Sequence, residues 1–300
     1  MRVAFSQTYQ KMNLNINRRK EELDRYANMI STGERMQKPA DDPLGWAQAL
    51  GFRQGIRELD ALAKNVDFAT NWSTATETAL ADVATLVSSA ISIGSSSLNT
   101  QDTSMRQTLT RELNNTIQAA VSSANSQLGE QYLFGGNSYT TAPYAITVDS
   151  TGDVTAITYQ GGTAYDLEVR TGKQSTETVN INGQNAFGTA GSGVLRQLLD
   201  LKTAVQNGDT AAVQTQLTAL QNSSQDLIRL TAQTQSRTAA LERKSGVLST
   251  LKSSQQDQLA NVTTADSANS IIRYQQTQTV YEAALRAAST LSNLNLTSFL

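Results

Sequence analysis

The chain contains no cysteine and no histidine, and among its 300 residues are only three prolines, two tryptophans and 6% aromatics. Without Cys and His, thiolate and imidazole zinc sites, Ser-His or Cys-His nucleophilic catalysis and disulfide stapling are all excluded. An enzyme built from this chain would have to run on carboxylates, Lys, Arg, Tyr or backbone groups. A basic excess is missing too. Lys and Arg number 24 against 26 Asp and Glu, a net charge of −2, which argues against a nucleic-acid partner. The N-terminal residues Met1–Gln7 hold no apolar run, and no stretch approaches 18 consecutive apolar residues. The expectation is therefore no cleaved secretory signal and no membrane insertion. That fits the cytoplasm, or export by a route that needs no cleaved signal.

What the chain has in excess is uncharged polarity. Asn, Gln, Ser and Thr make up about 38% of it, whereas hydrophobic residues reach 39%. Ordinary domains carry about 45–50% apolar residues, glycine included. Such a chain has little bulk for a thick core. Amphipathic helices that complete their burial against other chains would suit it.

Glycine marks the organisation. Ten of the 18 lie between Gly135 and Gly193. This middle reads as short strands with turns between them: Tyr144–Val148, Val154–Tyr159, Tyr165–Val169 and Thr178–Ile181. A small antiparallel domain of about four to six strands is expected there. Both flanks are poor in Gly and Pro and read as helix.

In the N-terminal flank Phe5, Tyr9, Met12, Ile16, Arg19, Leu23, Tyr26 and Ile30 recur at alternating steps of four and three, a heptad seam broken only by Arg19. The helix should end at Ser31-Thr32-Gly33, with Gly33 as a left-handed cap. A new helix should start at Asp42-Pro43, Asp42 as N-cap and Pro43 at the first helical position. Its expected seam is Ile56, Leu59, Ala63, Val66, then polar Thr70, Ser73 and Glu77, then Leu80, Ala84, Val87 and Ile91. A loop follows from Ser95 to Thr103, and a further helix carries Leu109, Leu113, Ile117, Val121, Ala124 and Leu128. Beyond Gly193, Val213, Leu217, Leu220, Leu227, Leu241, Leu248, Leu259 and Val262 keep one heptad register. Val280, Ala284, Ala287, Leu291 and Leu294 extend it, with Gly208 and Gly246 as candidate breaks.

No constellation in the sequence supplies a nucleophile, a base and an orienting group. Asp41-Asp42 reads better as a helix start than as a paired-carboxylate site, and Gly135-Gly136 and Gly161-Gly162 lack the spacing of a phosphate loop. The acidic residues of the middle, Asp149, Asp153, Asp166, Glu168 and Glu177, would have to converge for a hydrolase, and two of them sit in an expected turn. The terminal seams differ from the internal ones. Each places an apolar stripe at a chain end, where monomers fray. At about 25 cal/mol per Å2, a thin stripe built on Ala284 and Ala287 hardly offsets about 1.5 kcal/mol per residue of chain ordering. The termini are therefore expected to order mainly against neighbouring subunits.

The plan of two helical ends around a β-rich middle resembles the bacterial flagellin superfamily. Ser31-Thr32-Gly33-Glu34-Arg35 followed by Asp41-Asp42 is similar to the N-terminal signature of that family. Pro39 and Pro43 around the two aspartates, Tyr132-Leu133-Phe134-Gly135-Gly136 with Ala142-Pro143-Tyr144, Tyr159-Gln160-Gly161-Gly162, Val179–Gly183 with Ala186-Phe187-Gly188, and the ending Leu294–Leu300 resemble the members that join hook to filament rather than filament flagellins. The resemblance implies a mainly α fold with an inserted β domain and a long antiparallel bundle or coiled coil formed by both chain ends. It implies three parts: terminal assembly helices at 1–44 and 265–300, a helical bundle at 45–134 and 195–264, and an outer β-rich domain at 135–194. Its implied role is a structural adaptor without enzymatic activity or cofactor. The implied partners are hook-associated protein 1, flagellin, its own copies in a ring, the flagellar type III export apparatus and an export chaperone of the FlgN type on the C-terminal helix. Localisation would be extracellular, after a cytoplasmic stage. Phe5, Tyr9, Met12, Ile16, Leu23, Tyr26, Ile30, Val280, Ala284, Ala287, Leu291 and Leu294 would form the assembly interface. Two alternatives stand beside this reading: filament flagellin itself, and a coiled-coil adhesin or phage structural protein.

Overall fold

The computed structural model describes residues 2–162, 167–189 and 191–297, with side chains described between 7 and 290. Two compact units emerge: residues 1–59 with 250–300, and residues 60–249. The helices α1 (Arg2–Thr32) and α7 (Ser267–Thr297) belong to the first unit. The helices α2 (Pro43–Ser97) and α6 (Thr210–Thr263) supply residues to both. The second unit also holds α3 (Thr103–Ala124), α4 (Gly183–Phe187), α5 (Val194–Asn207) and the six strands found among the described residues.

Helix boundaries follow local chemistry. Gly33 closes α1 at φ +71°, donating its N–H to Met29 O at 2.9 Å, as a left-handed C-terminal glycine does. Asp42 starts α2: its Oδ1 accepts from Gly45 N at 3.0 Å, and Pro43 is the first helical residue. Asp102 caps α3 through Ser104 N, and Asn125 ends it, so Leu128 falls outside the helix and in the two-residue strand β1 (Gln127–Leu128). Gly208, at φ +70°, separates α5 from α6, whereas Gly246 lies inside α6 without breaking it. The remaining break falls at 264–266, where Asp266 accepts from Asn269 N at 3.0 Å and opens α7.

The second unit is a helical core with hairpins attached. Along α2 the buried positions include Leu62, Val66, Ala69, Ser73, Thr76, Leu80, Val83, Val87 and Ala90, a strict heptad. The expected seam shares Val66, Ser73, Leu80 and Val87 with it. Leu59 also keeps that register, whereas Ile56, Ala63, Thr70, Glu77, Ala84 and Ile91 lie one residue off, and all of these are only half-buried. On α6, Val213, Leu217, Leu220, Leu227, Thr234, Leu241 and Leu248 are buried as the register required. On α3, Leu109, Leu113, Ile117, Val121 and Ala124 are buried likewise. Helix α5 completes the layer with Leu195, Leu198, Leu199 and Leu201.

The strands form three separate antiparallel hairpins rather than one sheet. The hairpin β3 (Tyr144–Val148) with β4 (Val154–Tyr159) matches the expected strands at both ends. β5 (Glu168–Arg170) pairs with β6 (Thr176–Thr178), so Val179–Ile181 is not strand, and Tyr165 and Asp166 lie outside the described residues. β2 (Gln131–Tyr132) pairs with β1. An aromatic cluster of Phe134, Tyr144, Tyr159 and Phe187 fastens this region, with Phe134 and Phe187 edge-on at 4.7 Å. Buried side chains hold the β3–β4 hairpin by its backbone. Asn114 Oδ1 accepts from Val154 N at 2.8 Å, and Lys202 Nζ donates to Val154 O at 2.6 Å. By length and composition α2 also passes as a membrane-crossing helix, and 39% of the qualifying window is buried within the protein.

Candidate functional site

The first unit is built around the chain ends. α1 has 31 residues, about 46 Å at 1.5 Å per residue. It packs against α7, and the link between residues 33–35 and 263–265 joins the end of one helix to the start of the other, so they run antiparallel. The helix seam of α1 shows its expected order: Met12, Ile16, Leu23 and Tyr26 are half-buried, and Arg19 is exposed, paired with Glu22 at 2.7 Å. Tyr9 and Ile30 at the edges of the stripe are 47% and 36% exposed.

α7 is turned differently from expectation. Its inward positions are Ser270, Tyr274, Thr277, Tyr281, Ala284 and Ala288, a heptad whose only fully buried members are Ser270 and Thr277. Of the expected stripe, Ala284 lies inward, whereas Val280 is 48% exposed and Ala287 is exposed. Phe5, Leu291 and Leu294 have side chains outside the described residues. The stripe chosen by hydrophobicity is thus mostly one residue away from the packed one. Ile271, Ile272, Val280 and Leu285 face solvent at 43%, 54%, 48% and 43% exposure. An isolated amphipathic helix would bury these and expose Ser and Thr.

The segment between α1 and α2 is a polar clasp. Arg35 donates its backbone N–H to Thr263 O at 2.7 Å and its Nε to Val262 O at 3.2 Å, covering carbonyls that the end of α6 leaves unpaired. The Arg35 guanidinium also meets Asp42 Oδ2 at 2.9 Å. Ala265 N donates to Gly33 O at 2.8 Å, and Glu34 bridges to Thr264. The adjacent aspartates divide the work. Asp41 Oδ2 accepts from Gln37 N and Lys38 N at 3.0 and 3.1 Å, holding the loop, while Asp42 caps α2. Both carboxyls are held below their ordinary range, Asp41 first by the Gln37 N–H and Asp42 first by the Gly45 N–H, with Arg35 adding to Asp42. A Cβ at Gly45 would lie 2.6 Å from Asp42 Oδ2 and 2.9 Å from Met36 Sδ, so a larger residue there would push the side chains of the clasp aside. Arg35, Met36 and Gly45 are the residues that reasoning from periodicity missed. Their signal was the clustering of Gly33–Arg35 and Asp41-Asp42 between the two helices.

An open apolar cleft of about 490 Å3 lies in the same unit, lined by Gln48, Gly51, Phe52, Gln258, Asn261 and Val262. Among the described residues no group of three or more acidic side chains gathers as a metal site would require. Asp149 is absorbed in its own turn, accepting from Thr151 and Asp153. What the unit offers is surface.

The family model described as the bacterial flagellin N-terminal helical region matches residues 4–138. Flagellar hook-associated protein 3 of Salmonella typhimurium is 24% identical over 99% of this chain and 98% of its own length. The Escherichia coli protein of the same name is 25% identical over the same shares. A solved structure titled as a putative flagellar hook-associated protein from Vibrio parahaemolyticus superposes with a TM-score of 0.66 at 20% identity, covering 75% of this chain and all of its own. The resemblance read from Gly33, Arg35 and Asp41-Asp42 is thereby matched by sequence along nearly the whole length and by fold. The chain is thus similar over nearly its whole length to proteins named flagellar hook-associated protein 3, and its first 138 residues include the match to the flagellin N-terminal helical region.

Proposed function

We propose that this chain is the adaptor between hook and filament, a ring of its own copies touching hook-associated protein 1 on one side and the first flagellin subunits on the other. The observation that carries the reading is the inverted α7. It buries Ser270 and Thr277 and leaves Ile271, Ile272, Val280 and Leu285 outside, which suits a helix completed by neighbouring subunits. The apolar stripe of α1, with Phe5, Tyr9, Met12, Ile16, Leu23, Tyr26 and Ile30, and the outer face of α7, with Val280, Ala287, Leu291 and Leu294, form the assembly surface. Ala284 serves the contact within the chain. In this reading residues 1–44 and 265–300 line the inner tube, 45–134 and 195–264 form the next layer, and 135–194 project outward. Before assembly the chain passes through the cytoplasm, where a chaperone of the FlgN type holds the C-terminal helix, and it leaves unfolded through the flagellar type III apparatus.

Deleting the gene tests the reading by electron microscopy of the cells. Hooks without filaments, with flagellin released into the medium, are expected. Normal filaments would refute the adaptor role, and seeded growth of the purified chain into long filaments would make it a filament subunit instead.

A further inference from the structure

β3 is an edge strand with one unguarded side. Pro143 O accepts from Gln160 N at 2.7 Å and Asp149 N donates to Asp153 O at 3.0 Å, so the odd-numbered residues turn their backbone groups toward β4. Alternation along an antiparallel ladder then turns those of Tyr144, Ile146 and Val148 outward. Asn125 takes up the first of these: its Nδ2 donates to Tyr144 O at 2.8 Å and its Oδ1 accepts from Tyr144 N at 2.9 Å. The outward groups of Ile146 and Val148 face solvent beside side chains 40% and 49% exposed. On β4 the outward N–H and C=O of Val154 are held by Asn114 and Lys202, and β5 and β6 carry Glu168, Arg170 and Glu177. Exposed edges are ordinarily blunted by charge, proline or cover, and Tyr144–Val148 has no charge at all.

We propose that this edge pairs with the same edge of a second copy, antiparallel about a two-fold axis through Thr147. Ile146 of each copy then lies opposite Val148 of the other, giving about four backbone hydrogen bonds and two aliphatic cross-strand pairs. The free stretch selects its occupant by length. Asn125 closes it at Tyr144, and the turn from Asp149 to Asp153 closes it after Val148. An incoming strand must therefore turn away immediately beyond the position facing Ile146, or collide with Asn125. β3 itself meets this condition and brings no charge of its own, and its nearest carboxylate, Asp149, is engaged within its own turn by Thr151 and Asp153. The contact falls far below the roughly 1,200 Å2 of a stable interface, so it is reversible and matters where copies are concentrated. It rests on the fold alone and stands or falls independently of the adaptor role.

The absence of native cysteine makes the test clean. In the full-length Thr147→Cys protein the two thiols sit at a non-hydrogen-bonded pair with Cα atoms about 4.5 Å apart, within the ~4.4–6.8 Å range that a disulfide spans. On air oxidation it should give roughly tenfold more disulfide-linked dimer than Ser150→Cys, an exposed position off the axis. Adding Ile146→Lys, or separately Val148→Lys, should return Thr147→Cys to the Ser150→Cys level, with circular dichroism confirming the fold. Equal yields from Thr147→Cys and Ser150→Cys, or an undiminished yield in a folded lysine variant, would overturn the proposal.

Discussion

The two units of this chain bury different things. The 60–249 unit encloses Trp72, Phe134, Phe187 and a run of Leu and Ile at less than 2% exposure. In the unit made from the chain ends, no described side chain of α1 is buried, and the buried members of α7 are Ser270 and Thr277. That unit buries only Met36, Ala49 and Ala265 among its described apolar side chains, and polar contacts around Gly33, Arg35 and Asp42 join its ends. One chain thus contains a part that closes on its own hydrophobic interior and a part that leaves much of its apolar surface outside. The composition averages the two, which is why 39% hydrophobic residues looked too few for a core.

The comparison can be broken at its strongest point. Phe134→Ala should destabilise the 60–249 unit by about 3–5 kcal/mol, read by urea denaturation. Leu23→Ala, at a half-buried site of α1, should cost the terminal unit only about 1 kcal/mol. Equal losses would mean that the terminal helices have a core of their own. Next in size is Asn114→Ala, which strands the buried Val154 N–H and should cost about 1–3 kcal/mol, with faster hydrogen exchange confined to the β3–β4 hairpin. Arg35→Ala should cost about 1 kcal/mol through lost capping of α6, and proteolysis should then find α7 before any part of the 60–249 unit.

Acid sharpens the same contrast. The carboxyls of Asp41 and Asp42 are lowered from 3.8, so their contribution is present above that pH and is lost as pH falls through the lower folded values. The Tyr144 hydroxyl is raised by burial, and that of Tyr159 more mildly. Their contribution is full below 10.0 and declines as pH rises above it. Protease sensitivity at α7 should appear first on the acid side, and tyrosinate absorbance with loss of the hairpin signal on the alkaline side. The smallest effect is expected from Ser73→Ala. Ser73 Oγ is buried without a partner, so the change should be neutral or stabilising by up to about 1 kcal/mol, read as a raised midpoint of thermal unfolding.

Much of this was legible in the residues because caps and turns are local. Gly33, Asp42, Pro43 and both strands of the β3–β4 hairpin fell where their own chemistry put them. The α6 register was legible because its seam is leucine-rich. On α2 and α7 the packed heptads run through small or polar residues, Ala69, Thr76 and Ala90 on the one and Ser270 and Thr277 on the other. Hydrophobicity alone selects the neighbouring residue in such a helix, so the stripe was misplaced by one position. Much of the excess polarity is consumed within the helices themselves: Thr70, Thr76, Thr78, Thr85, Ser88 and Ser89 each donate to the carbonyl four residues back. These bonds satisfy hydroxyls on a helix but soften it. The three-dimensional role of Arg35 was illegible because its partners lie near the other end of the chain.

That distance has a consequence for timing. Arg35 meets Val262 across 227 residues of sequence. A chain that emerges N-terminus first therefore presents α1, Arg35 and Asp42 long before the carbonyls that receive the arginine exist beside them. The 60–249 unit can finish while the terminal unit is still waiting, and only the last stretch of chain lets the ends lock. A product truncated after residue 260 should be folded in its middle and open at its beginning.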